Sequence, residues 1–250
     1  MKILYIIPFI FSMSLLAQDQ EYKYEPVSNK AEYYIGSFNK GKNLDDLVDW
    51  YEDFADWAED QGDTYDSMTV AILTPYFNND LSTHDTMWVN TWPGPEEQYA
   101  GLDMWMKEGQ ELLEDLPSTN SAVIDTWQWV ISEPREMKAG NMMAAVYSEC
   151  YLDEGVNMRM VYDLYKDFAI YAQSQGDTVG RKIIVPDSGV QLPDGVDFVR
   201  LMYSSSISER GSNADLFFSK LANSDASNNL KGFSCFNARS YFGSAMRTPE

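Results

Sequence analysis

Tyr51–Thr64 reads YEDFADWAEDQGDT and Tyr165–Thr178 reads YKDFAIYAQSQGDT; the two align without a gap at a shift of 114 residues, with nine of fourteen positions identical. Random matching at about one position in sixteen gives about one identity over such a stretch. The chain therefore carries an internal duplication. The same register pairs Tyr33 with Tyr147, Gly41 with Gly155, Asn43 with Asn157 and Asp49 with Asp163, and after a slip of three residues Ile72–Pro75 matches Ile183–Pro186.

The duplicated segment has helical periodicity. Leu44, Leu47, Tyr51, Phe54, Ala55 and Ala58 recur at spacings of three and four, and Met158, Val161, Tyr165, Phe168, Ala169 and Ala172 repeat the stripe. Asn43 and Asn157 are placed as N-caps, Asp45 and Asp46 suit the positive helix start, and Gly62 and Gly176 suit a left-handed stop. Around the first helix the patterns predict strands at 33–38, 68–74, 87–92 and 124–131 with a second helix within 96–116. Around the second they predict strands at 143–152, 182–185, 198–203 and 233–239 with a helix within 213–222. Each copy is β-α-β-β-α-β, the ferredoxin-like unit, whose four-stranded antiparallel sheet carries both helices on one face. The bare face of each sheet needs cover, so an α+β fold is expected in which two ferredoxin-like repeats, 31–133 and 141–247, close as an intrachain pseudo-dimeric α/β barrel. Residues 18–30 and 134–140 read as linkers.

Composition excludes several roles. The chain has 250 residues, 39 acidic against 18 basic, and a formal charge of −21, with no basic cluster. Nucleic acid and anionic lipid are excluded as partners on that balance. With 14% aromatic residues the chain has ample material for a core. Residues 1–17 read as a secretory signal peptide with cleavage after Ala17, or else as an uncleaved N-terminal anchor. Cleavage makes the protein exported, periplasmic or secreted, and free of the membrane. One His and two Cys rule out a multi-His or multi-Cys zinc cluster, and neither nucleotide-binding glycine motif occurs. The acidic run from Asp45 to Asp60 falls on the solvent face of a helix, so no metal site is expected.

The element order, the helix ending in Gln-Gly-Asp-Thr and the strand Trp88–Trp92 followed by a polar helix resemble the tandem dimeric α/β-barrel superfamily, with its antibiotic-biosynthesis-monooxygenase-like and NIPSNAP-like domains. The resemblance spans both copies and lies at the level of the fold. It implies one of several activities: cofactor-free oxygenation, haem degradation or binding, lactone isomerisation, or none.

Strand alternation then nominates residues for the barrel interior. Tyr147, Glu149 and Tyr151 in one strand, Trp88, Asn90 and Trp92 in a second, and Phe198, Arg200 and Met202 in a third are expected to face the lumen, with Tyr33 beside them. Glu149 and Arg200 read as a polar anchor for a carboxylate or carbonyl ligand, with Glu149 as proton acceptor, or as a structural ion pair. Trp88, Trp92 and Tyr33 read as stacking surfaces or as barrel filling. His84, the one histidine, reads as a base, as a haem ligand of the kind the superfamily sometimes uses, or as a solvated loop residue. Haem-holding tandem members are expected to carry the ligand in the second copy, where this chain has no His. Cys150 and Cys235 fall on neighbouring strands of the ferredoxin-like order. They read as a disulfide worth ~4 kcal/mol in the chain-entropy model, or as two buried thiols.

The resulting expectation is a monomeric binder, without cofactor, of a small apolar or aromatic molecule. Its rivals are a cofactor-independent monooxygenase or isomerase, and an acidic protein-interaction module.

Overall fold

A computed structural model of the chain describes residues 21–249, so the predicted leader at 1–17 lies outside the described residues. The first half runs β1 (Val27–Phe38), α1 (Leu44–Asp60), β2 (Thr69–Phe77), β3 (Thr86–Trp92), α2 (Pro95–Glu108), α3 (Gln110–Glu114) and β4 (Ser118–Ser132). The second runs β5 (Met142–Leu152), α4 (Met158–Ser174), β6 (Gly180–Ser188), β7 (Phe198–Ser204), α5 (Ile207–Leu216), α6 (Asp225–Asn229) and β8 (Phe233–Arg247). A π-helical turn, Phe217–Leu221, continues α5.

The caps define the long helices. Asn43 accepts from the Asp45 amide at 2.7 Å and Asp46 accepts from the Asn43 amide at 2.9 Å, closing a capping box. Asn157 accepts from the Met160 amide at 3.0 Å. Gly62 and Gly176, just past the C-caps, take φ of +64° and +99°, a region costly for any residue with a Cβ.

The eight strands form one closed antiparallel barrel in the order β1-β3-β2-β8-β5-β7-β6-β4, with β4 returning to β1. Each half supplies four consecutive strands of the ring, and two seams, β2–β8 and β4–β6, join them. The β2–β8 seam explains why β8 is longer than single-copy patterning predicts, since residues 240–247 pair with β2, whereas the added residues 118–123 of β4 pair with β1. Strand β1 likewise starts at Val27, inside the stretch read as a linker, because Val27–Lys30 pair with Trp127–Val130.

Three apolar clusters result. One fills the barrel with Ala31, Tyr33, Leu73, Val89, Ala145, Tyr147, Leu201 and their neighbours. The other two lie outside it, packing α1 and α2 on the first half's sheet and α4 and the α5 extension on the second's. Cys150 and Cys235 are paired across β5 and β8 and form a disulfide.

The β2–β8 seam approaches most tightly at Gly243, where a Cβ would collide with the Ile72 carbonyl. Gly243→Ala is therefore expected to destabilise the fold by about 1–3 kcal/mol, the usual cost of overpacking, read as a lower denaturant midpoint. An unchanged midpoint would show that the seam does not govern stability.

Candidate functional site

Antiparallel strands put alternate residues on opposite faces, so the clusters fix which side chains enter the barrel. On β1 these are Asn29, Ala31 and Tyr33; on β4, Thr126 and Gln128; on β6, Lys182 and Ile184; on β7, Val199, Leu201 and Tyr203. The lumen holds a cavity of about 630 Å³, bounded by Tyr33, Tyr147, Leu201 and Tyr203 among others. It opens at the end where Ser67, Pro93 and residues 133–137 form the rim. Tyr33 and Tyr147, equivalent positions of the two copies, meet edge-on with ring centroids 6.0 Å apart. Tyr241 meets Tyr147 in the same way at 5.5 Å.

One polar cluster interrupts the apolar wall. The Lys182 ammonium donates to Gln128 Oε1 at 2.9 Å and to Asn29 Oδ1 at 3.1 Å. The amide of Gln128 donates to the Tyr33 hydroxyl at 2.7 Å. Among the described residues no carboxylate pairs with Lys182: Glu133, the charge that supports it, accepts from Tyr203 at 3.1 Å. Desolvation wins over that support and brings the amine down to about 8. Burial also raises the phenols of Tyr33, Tyr147 and Tyr203. The site thus offers a cation without a counter-ion, two amide groups and aromatic walls.

Several expected lumen residues lie elsewhere. Trp88 and Trp92 belong to the helix-packed face of β3, and Phe198 to that of β7. Asn90, Arg200 and Met202 share those faces by alternation, so the assignment of both strands is off by one residue. The physical reason is that helices cover one face of these strands and the closed barrel covers the other, so apolar residues stand on both faces and alternation alone does not tell them apart. Arg200 consequently does not pair with Glu149. It lies near Tyr165 of α4, where its charge opposes the burial-driven rise of that phenol, and its Nε has no hydrogen-bond partner among the described residues. Glu149 stands at the far end of the barrel, bound to Arg239 at 3.0 Å and Asn237 at 2.9 Å. Tyr151 is exposed beside Phe236.

His84 stacks on Tyr241 at 5.8 Å and shares a hydrogen bond with Thr83 at 2.9 Å; burial and then Arg239 lower its pKa. With no other histidine in the chain, the second half has no imidazole to hold a haem iron. The residues present do not fit a histidine-ligated haem there.

Lys182, Gln128, Asn29 and Tyr203 were not anticipated. Lys182 sits two residues before Ile184 in the run KIIV, a charge at the barrel-facing parity of an otherwise apolar strand, and that was the available signal.

The chain has an α+β fold with a closed eight-stranded antiparallel barrel, and the comparisons with known proteins bear on that fold. No family model matches the chain, and no curated protein matches its sequence. Among solved structures, a "putative monooxygenase" from Lactobacillus acidophilus is 6% identical, aligning over 88% of this chain and 97% of its own with a TM-score of 0.51. A mutant chlorite dismutase from Candidatus Nitrospira defluvii is 12% identical over 91% of this chain and 95% of its own, TM-score 0.46. At such identities the likeness is one of fold.

The lowered pKa of Lys182 has a defined sign. The unfolded amine titrates near 10.4 and the folded one at about 8, so between these values the unfolded chain binds more protons and stability rises with pH. Against Lys182→Met, the wild type is expected to gain about 2 kcal/mol from pH 7 to 9.5, measured by denaturant unfolding. The window stops short of pH 10, where the buried tyrosines act with the opposite sign. A difference flat with pH would contradict the burial of this amine.

Proposed function

We propose that the protein binds a small apolar or aromatic molecule bearing an acidic group inside the barrel, with that group held by Lys182. The observation that carries this reading is the buried ammonium facing a cavity of about 630 Å³ without a carboxylate partner. A buried cation that lacks a counter-ion is costly, and a ligand carboxylate supplies one. Gln128 and Asn29 hold the ammonium in place, and the Tyr33, Tyr147 and Tyr203 rings form flat walls for the ligand's body. In this reading the two halves are ferredoxin-like repeats left by a duplication, and the chain works as a monomer because its own second copy covers the first.

Calorimetric titration with 1-naphthoate and its neutral isostere 1-naphthamide tests the proposal. One naphthoate is expected to bind per chain, with Ala71→Phe, which fills the lumen, abolishing binding of both probes. Lys182→Met is expected to weaken naphthoate by about 10–100-fold, the worth of a hydrogen bond to a charged group, and to leave naphthamide unchanged. If neither probe binds the wild type, the lumen reading fails.

A second reading, a cofactor-independent isomerase or oxygenase, is favoured by the same amine, since a pKa of about 8 suits proton transfer near neutrality. Turnover whose rate follows the Lys182 titration would distinguish it from simple retention.

Export belongs to the proposal as well. Sequencing the N-terminus of protein recovered outside the cytoplasm is expected to begin at Gln18; a start at Met1 would overturn cleavage.

A further inference from the structure

A second cavity, of about 110 Å³, lies outside the barrel between the first half's sheet and helices α1 and α2. Its walls are aromatic on several sides, formed by Trp50, Phe54, Tyr65, Trp88, Trp92 and Trp105. Trp50 and Trp88 stand edge-on at 5.6 Å, and Trp105 meets Trp50 at 6.4 Å, so the rings form a continuous cage. Five of them, all but Trp105, are more than nine-tenths buried.

Into this cage points a carboxylate. Glu32 is 6% exposed and accepts from Asn90 Nδ2 at 3.1 Å, Gln98 Nε2 at 3.1 Å and the Tyr34 hydroxyl at 3.2 Å. All three donors are neutral. Among the described residues no Lys or Arg forms an ion pair with Glu32, and Lys30, on the same face of β1, is taken by Asp125 at 2.8 Å and Asp187 at 2.7 Å. The carboxylate's field reaches the phenols of Tyr34 and Tyr65, raising both in addition to the larger effect of burial. Two further groups lining the cavity, Thr86 Oγ1 and Trp92 Nε1, are buried without a hydrogen-bond partner among the described residues, each residue being 2% exposed.

A buried carboxylate served by neutral donors is expensive unless a positive charge joins it. The surrounding ring faces attract cations through their quadrupoles. A metal ion is poorly suited, since hard cations need several oxygen ligands and these walls are indole and phenyl. Size narrows the choice to a compact headgroup of about five heavy atoms, since a cavity of ~150 Å³ admits benzene with six and this one measures about 110 Å³. The rim residues Leu113 and Asn120 are exposed, leaving a way out for a substituent. The geometry points to a binding site for the methylated ammonium headgroup of a small organic cation, held by the Trp50, Trp88 and Trp105 rings and neutralised by Glu32. This site lies on the opposite face of the sheet from the lumen and stands or falls independently of it.

The test follows indole N–H resonances of the purified protein during titration with tetramethylammonium chloride, with sodium chloride and 2-methyl-2-propanol as ionic and neutral controls. Saturable shifts are expected for Trp50, Trp88, Trp92 and Trp105, with none for Trp127 and Trp129, and no response to the neutral control. Glu32→Gln, which keeps the shape and removes the charge, is expected to weaken tetramethylammonium at least tenfold. Equal responses to the alcohol, shifts that never saturate, or full affinity in Glu32→Gln would overturn the proposal. Should Glu32→Gln fail to fold, Trp105→Leu at the partly exposed edge of the cage decides: an affinity equal to wild type rejects the site.

Discussion

Mutual cover of two sheets is the constraint on which this molecule depends. A four-stranded sheet with helices on one face leaves the other face apolar and wet, and the chain resolves this by pairing β2 with β8 and β4 with β6 until no edge remains. Closure removes the aggregation hazard of free edges and encloses the lumen in the same step. The extension of β8 and the Gly243 approach serve that closure.

The two halves, which share the repeated helical sequence, differ in the charges they place on each face of the sheet. Tyr33 and Tyr147 keep their equivalence and meet across the lumen. Lys182 has no such twin: in the slipped register its counterpart is Ala71, so one charge enters the barrel from one copy alone. Glu32 corresponds to Val146, so the carboxylate in the helix-side cage belongs to the first half. The second half places a disulfide at Cys150 where the first has Gly36. The asymmetry leaves a positive charge inside the barrel and a negative one outside it.

Much of the fold was legible because it rests on local rules expressed twice. Helix periodicity, asparagine caps and glycine stops each appeared in both copies, and the structure has them at those positions. The barrel-facing residues were harder to read. Side chains alternate with a period of two, so an error of one residue moves a whole strand to the wrong face, as happened for Trp88, Asn90 and Trp92 and for Phe198, Arg200 and Met202. Both faces of these strands are buried, which erases the polar alternation that would have settled the matter. Glu32 and Lys182 are buried charges whose partners Gln98, Asn90, Gln128 and Asn29 come from elements distant in sequence. Such constellations exist only after closure.

The most direct test of the central claim, that the lumen is a binding site anchored by Lys182, is a crystal structure of the protein grown with 1-naphthoate. The account predicts density for the ring between Tyr33, Tyr147 and Tyr203 with its carboxylate within hydrogen-bonding distance of the Lys182 ammonium. Naphthoate bound outside the barrel, or lying in it with its carboxylate turned away from Lys182, would contradict the account.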